Sequence, residues 1–395
     1  MTDFTRTRAA FHLPEGVTYL DGNSLGPMPV AATARVADMM RDEWAEQLIR
    51  GWNSAGWYAQ PRRVGDRIAR LIGAGEGQVV MGDTLSIKVF QAVSAARALR
   101  PDRRVILSDS GNFPSDLYVA EGLAGAVDAE LRVVRPEEVA DAITDDLAVL
   151  MLTEVDYRTG RRHDMAALTA RAHQAGALAV WDLAHSAGAV DVDLLGVDAD
   201  FAVGCTYKYI NGGPGAPAFI WTHPRHSDAA APILQGWMGH AAPFAFDLDY
   251  RPAAGIERMR VGTPPVIAMT ALDAALDVWD GVELADLRAR SIELSEAFIT
   301  GVQENCPDLV LNSPRHPAQR GSQVSFLHPQ GYAVMQALIA EGVIGDFRAP
   351  DVLRFGFAPL YNDVSDIERA VDTLARILRD GSWDDPRFHQ RAKVT

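Results

Sequence analysis

The sequence predicts an α/β fold: a large domain built on a mainly parallel sheet with helices on both faces, followed by a smaller α+β C-terminal domain. Three observations lead there. From about residue 75 to 225, short β-branched runs alternate with amphipathic helical stretches, the rhythm of strand, crossover helix and parallel strand. From about residue 280 the pattern changes to shorter mixed elements. The 395 residues, 48% of them hydrophobic, suffice for more than one core at roughly 150 residues per domain.

Residues 1–50 read as an N-terminal arm and helix, 51–275 as the large domain and 276–395 as the small one. In chain order the predicted strands are "QVVMGD", "RVILSD", "ELRVVR", "LAVLMLTEV", "ALAVWDLAH", "ADFAVGC" and "APAFIWT". Helical segments such as "SIKVFQAVSAARAL" and "DMAALTARAHQAG" separate them, the second closing on a glycine suited to a helix C-terminus. "PPVIAMTALDAALDVWDGV" reads as a long helix and "LADLRARSIELSEAFITGVQE" as another, linking the sheet to the second unit. There follow "DLVLNS", "SQVSFLH", "GYAVMQALIAEGV", "VLRFGF" and "VSDIERAVDTLARILRD". The tail after 382, "SWDDPRFHQRAKVT", is charged and reads as peripheral.

Charge narrows the partners. With 37 basic and 52 acidic residues the net charge is -15, which disfavours nucleic acid and an anionic membrane and leaves small molecules. Cys205 and Cys306 fit no metal-ligand spacing and suggest a reducing compartment, the cytoplasm by default. The N-terminus lacks a long apolar region, and no apolar run reaches the roughly 18 residues of a membrane span.

In a doubly wound sheet ligands collect at the carboxyl ends of the strands. After "ALAVW" comes Asp182, with His185 three residues on; after "ADFAVGC" come Thr206, Tyr207 and Lys208. A lone buried Asp or Lys is more often half of a structural ion pair. An Asp followed 26 residues later by a Lys, on successive strands, is what a pyridoxal phosphate site needs: a carboxylate for the pyridine nitrogen and an amine for the aldehyde. Thr84, Leu85 and Ser86 open a helix whose free N–H groups suit a phosphate, although an ordinary N-cap explains them equally well. "NFPSD" adds Phe113, able to stack on an aromatic ring, and Asp116.

Together "YLDGNSLGPMP", "NFPSD", "WDLAHSAGAV", "CTYKYINGGPG", "GWMGH" and "RFGFAPLYN" resemble the kynureninases, pyridoxal phosphate enzymes of fold type I, over about residues 19–361. The resemblance implies pyridoxal 5'-phosphate as cofactor and L-kynurenine as substrate, cleaved hydrolytically between its β and γ carbons to anthranilate and L-alanine. It makes Lys208 the Schiff-base lysine and Asp182 the partner of the pyridine nitrogen, with Phe113 on the ring and Asp116 and His185 near its substituents. Leu85, Ser86, Tyr207 and Trp237 fall to the phosphate, Thr153 to a cofactor-contacting hydroxyl, and Arg354 to the substrate α-carboxylate. Tyr207 is also a candidate proton donor. Trp52, Gly262 and Thr263, the last also a cofactor contact, match the bacterial type, which prefers L-kynurenine to 3-hydroxykynurenine; Trp57 lies close enough to Trp52 to compete for that place. A homodimer is implied too, with the Trp237 and "VGTPP" segments reaching the neighbouring site. The competing reading within the fold is a cysteine desulfurase or an aminotransferase; a desulfurase needs a reactive cysteine on a mobile loop, and neither Cys205 nor Cys306 is well placed.

Overall fold

A computed structural model describes residues 1–391; the end of the tail, 392–395, lies outside the described residues. A two-residue strand, β1 (Thr18–Tyr19), precedes the main sheet. That sheet holds β2 (Val79–Met81), β3 (Val105–Asp109), β4 (Glu130–Val134), β5 (Leu147–Thr153), β6 (Leu178–Asp182), β7 (Phe201–Gly204) and β8 (Phe219–Thr222). Its order is β2-β8-β7-β6-β5-β3-β4. All seven predicted strands are present. β4, β3, β5, β6 and β7 run parallel, whereas β8 is antiparallel to both its neighbours.

Both faces of this sheet are buried except along the edge strand β4, which explains why the other strands read as continuous apolar runs. The pleat sorts alternate residues into two cores. Val79, Met81, Leu150, Leu152 and Trp181 face one, with Leu168 and Ala172 of the helix Met165–Gln174 and Met269 and Leu272 of the helix Val266–Leu276. Val80, Ile106, Val149, Met151, Val180 and Val203 face the other, under Val89 and Val93 of the helix Leu85–Ala98 and Leu123 of the helix Pro114–Ala126. The first core continues through Val278, Trp279, Val282 and Leu287.

The smaller unit has its own core around Phe298, Val324, Phe326, Leu353 and Phe355, backed by the helices Leu284–Asn305, Gly331–Ala340 and Val364–Asp380. Its sheet contains β9 (Val310–Leu311), β10 (Gln323–Leu327), β12 (Asp346–Arg348) and β13 (Val352–Gly356), in the order β12-β13-β10-β9 with every pair antiparallel. Between helix and β12, the short strand β11 (Val343–Ile344) pairs in parallel with β1, so the N-terminal arm is stitched to the small domain. The tail departs from the expectation of a peripheral segment. Phe388 is buried in the small-domain core, because an aromatic side chain on a short turn can reach apolar surface that its charged neighbours cannot.

Candidate active site

The parallel strands deliver their carboxyl ends to one edge, where a cavity of about 390 Å³ opens. Of the residues anticipated from sequence, Leu85, Ser86, Phe113, Thr153, Asp182, His185, Tyr207, Lys208 and Arg354 all line it. Gly82 (φ +152°) and Asp83 (φ +56°) turn the chain from β2 into the helix Leu85–Ala98. Its N-cap residue, Thr84, makes no side-chain hydrogen bond to the helix, so the first N–H groups are left for a ligand, as an anion site requires. Phe113 keeps 44% of its surface exposed and meets Tyr157 edge-on at 5.1 Å. Tyr207 is half-buried beside Lys208, whose Nζ lies 5.8 Å from the phenol ring centre.

Beneath the cavity two carboxylates crowd together. Asp182 Oδ1 accepts from the Ala184 N–H at 2.9 Å, and Thr153 Oγ1 lies 3.2 Å from Asp182 Oδ2 and 2.5 Å from Asn112 Oδ1. Asp116 sits behind this pair, 1% exposed, in the first turn of the helix Pro114–Ala126, and does not itself line the cavity. Its Oδ2 finds no donor among the described residues. Burial and then the Asp182 charge push the Asp116 carboxyl well above the usual carboxylate range, so it carries a proton toward Asp182. Burial also raises Asp182, with the Lys208 charge pulling the other way.

Lys208 Nζ is 2.8 Å from His185 Nε2, and His185 Nδ1 is 2.9 Å from Gln323 Oε1 of β10. Burial, then the charges of Lys208 and Arg354, holds His185 well below the ordinary imidazole range and therefore neutral. At the small-domain end, Arg354 of β13 stands directly across the ladder from Asp346 of β12. Its Nε donates to Asp346 Oδ1 at 2.7 Å, and its terminal nitrogens donate to Asp346 Oδ2, to Ser24 Oγ (2.8 Å) and to the Tyr157 carbonyl. Arg348, two residues from Asp346 and on the same face, reaches Asp346 Oδ2 at 2.7 Å and also lines the cavity. Burial alone raises Asp346, but the Arg354 charge and hydrogen bonds outweigh it and leave that carboxyl below its ordinary value.

Four anticipated residues lie elsewhere in the chain's own fold. Trp52, Trp237 and Thr263 line a second cavity of about 660 Å³ with Tyr58, Met238 and Phe244. Gly262 adjoins Thr263 in a small niche against Arg260 and Met81. Trp57 is not the cavity residue: it is 8% exposed and its indole N–H donates to Glu43 Oε2 at 2.8 Å. Sequence reasoning missed Asn23, Ser24, Tyr157, Gln323, Asp346 and Arg348. The first two stood in a quoted motif without a role. The Asp-x-Arg alternation of "DFRAP", facing "VLRFGF" across a proline-containing turn, was the readable signal for the last two. Among the described residues, no group of three or more His, Cys, Asp or Glu side chains is placed to hold a metal, and no helix is long and apolar enough to cross a membrane.

The buried Asp182 carboxylate and Lys208 in one cavity, with the uncapped helix start, fit a ligand with a cationic ring nitrogen, an aldehyde and a phosphate. Solved structures point the same way for the fold. An apo cysteine desulfurase from Thermococcus onnurineus superposes with a TM-score of 0.80 at 19% identity, covering 96% of this chain and 99% of that one. A cysteine desulfurase from Escherichia coli gives 0.77 at 20%, with the same coverage. A variant of the lyase C-DES, with glycine covalently linked to its pyridoxal phosphate, gives 0.79 at 17%, covering 95% and 99%. The architecture is thus that of the fold type I pyridoxal phosphate-dependent enzymes. At the level of sequence, residues 287–374 match the family model described as the kynureninase C-terminal domain. The kynureninase of Burkholderia pseudomallei strain 1106a is 52% identical over 98% of this chain and 95% of its own length, and that of Pseudomonas fluorescens 51% over the same shares. The chain belongs to the kynureninase family.

Proposed function

We propose that the protein hydrolyses L-kynurenine between its β and γ carbons, giving anthranilate and L-alanine, with pyridoxal 5'-phosphate as cofactor. The observation that carries this is the convergence in one cavity of Lys208, Asp182 with Asp116 buried behind it, and the paired arginines Arg354 and Arg348. Lys208 would hold the cofactor's aldehyde carbon, Asp182 its ring nitrogen, Phe113 its ring face, and the Leu85 and Ser86 N–H groups with Tyr207 its phosphate. When bound, that cofactor supplies an electron sink for charge developing on substrate carbon. Arg354 and Arg348 orient the α-carboxylate, a task matched to planar guanidinium donors. Lys208 Nζ, when free, takes the α-proton as general base. Tyr207, whose phenol is pushed up first by Cys205 and then by burial, keeps its proton and can donate it at the β-carbon. In the overall balance the hydroxyl of water ends on the γ-carbonyl carbon, forming the anthranilate carboxylate, and a proton ends on the β-carbon, forming the alanine methyl.

A desulfurase reading is disfavoured by both cysteines. Each is buried and free, burial pushing Cys205 up and Cys306 to about 11, so neither presents a thiolate to a ligand. Fluorescent detection of anthranilate from L-kynurenine, with and without added pyridoxal phosphate, tests the proposal; no product at saturating cofactor would overturn it.

The reading extends to a homodimer in the cytoplasm, in which the cavity of Trp52, Trp237 and Thr263 completes the neighbouring subunit's site. Supporting it, Ile49, Trp237 and Phe244 are large apolar side chains exposed at that cavity, and Phe246 and Leu248 are exposed at an adjoining one that Trp237 also lines. An active monomer in sedimentation would refute it.

A further inference from the structure

Gln323 is 1% exposed and belongs to the small domain, yet its amide ends 2.9 Å from His185 Nδ1. The orientation of that amide is not free. Its Nε2 donates to two backbone carbonyls, Asp156 O at 2.9 Å and Tyr157 O at 3.0 Å. Carbonyl oxygens only accept, so the NH₂ group must point there and Oε1 must face the imidazole. An amide oxygen only accepts as well, so His185 Nδ1 must carry a proton. In a neutral ring the second nitrogen is then a bare lone pair, and Nε2 is the atom 2.8 Å from Lys208 Nζ.

We infer that Gln323 is a positioning residue for the reaction: by fixing the Nδ1–H tautomer of His185, it makes Nε2 a hydrogen-bond acceptor dedicated to the Lys208 amine. The inference rests on the proposed role of Lys208 and deepens it. The acceptor holds the amine in one rotamer and receives one of its N–H bonds, leaving the nitrogen lone pair, once the ammonium has lost a proton, directed away from the histidine. No proton is transferred to His185 in this arrangement; the ring orients. The same Tyr157 carbonyl that anchors Gln323 also accepts from Arg354, so the carboxylate-binding arginine and the lysine share one anchored peptide. The other titratable or charged groups facing Lys208 and His185 are Asp182 and Asp116 from the sheet and its following helix, Cys205 and Tyr207 from the lysine's own segment, and Arg354 and Arg348 from the small domain. None of these hydrogen-bonds Nδ1 of the imidazole, which leaves Gln323 as the tautomer's determinant.

Two measurements test this. Nitrogen-15 NMR of the full-length protein labelled at histidine, with and without pyridoxal phosphate, separates a protonated ring nitrogen from a bare one, His185 being assigned by difference against His185→Gln. A protonated Nδ1 and bare Nε2 are expected in the wild type; the opposite tautomer overturns the inference regardless of any variant. Gln323→Met keeps length and apolar bulk but removes the acceptor. It should mix the tautomers, lower kcat roughly tenfold with KM within about twofold, and move the pH profile of kcat/KM; orienting partners of functional histidines are commonly worth about 10–100-fold. Gln323→Glu, which retains an acceptor, should recover the His185 tautomer even if the loss of its N–H donors costs stability. An unchanged tautomer and pH profile in Gln323→Met would show that Gln323 serves packing alone. Should Gln323→Met fail to fold, the wild-type spectrum still decides.

Discussion

At the sheet end of the cavity two buried carboxylates, Asp116 and Asp182, face a single lysine, and one carboxylate oxygen has no donor. At the small-domain end two carboxyls, Asp346 and Asp21, face two guanidinium groups; both oxygens of Asp346 are used, while Asp21, pushed up to about 7 by burial and then by the Asp346 charge, keeps Oδ1 without a partner among the described residues. The first end sets one cation against its two carboxyls, the second sets two. An unsatisfied buried group costs on the order of 1–3 kcal/mol, and each end carries one, Asp116 Oδ2 and Asp21 Oδ1. A pre-paired arginine loses little on binding a carboxylate and little on releasing it, which suits a substrate that must turn over.

The sharpest way to break this comparison is at the lysine. Lys208→Ala should reduce anthranilate formation by more than about 10⁴-fold, since no other amine lines the cavity; normal product formation by that variant would remove Lys208 from the chemistry. Next in size, Arg354→Met strands Asp346 against one remaining guanidinium and should cost about 3 kcal/mol of folding stability, read by denaturant unfolding, besides raising KM. A variant of unchanged stability would mean that the pair is no better than a surface one.

Asp116 and Asp346 should also answer pH in opposite senses. Asp116 titrates above its unfolded value of 3.8 in the folded chain, so without cofactor the native state holds the extra proton and stability falls as pH rises from about 4 through the folded value. Asp346 titrates below 3.8, so its contribution is complete above about pH 4 and is lost as pH falls through its folded value. Thermal melts of cofactor-free Asp116→Asn should therefore gain about 1 kcal/mol at neutral pH. Those of Asp346→Asn should lose stability there and converge on the wild type in acid. Identical pH slopes for the two variants would dissolve the contrast. The smallest effect concerns the aromatic end of the substrate. If Trp52, Gly262 and Thr263 complete a neighbouring site, kcat/KM should favour L-kynurenine over 3-hydroxykynurenine by about 10-fold or more, because an indole and a glycine leave the added hydroxyl poorly paired. Parity between the two compounds would detach these residues from the choice.

What could be read in advance follows the same division. The sheet end is local: Asp182, His185 and Lys208 each come just past an apolar strand, and the strand-end rule finds them without knowledge of any contact. The small-domain end and the link between the ends are not. Gln323 meets His185 across 138 residues of chain and Ser24 meets Asp346 across 322. Neither periodicity nor turn chemistry encodes such a pairing. Arg354 was legible as a residue and illegible as a circuit, because the partners that neutralise it come from β12, from the N-terminal arm and from the segment after β5.

The buried Asp182 carboxylate that lines the cavity reaches beyond chemistry into how long the protein lasts. A folded state that a ligand stabilises by RT ln(1 + [L]/Kd) gains about 2.7 kcal/mol at a hundredfold excess over Kd, and proteases sample the unfolded fraction continuously. If the protein takes the proposed cofactor, newly made chains that bind it should outlast chains that do not. Cellular abundance of the enzyme should then track the supply of its cofactor, with no regulator other than the stability of the chain.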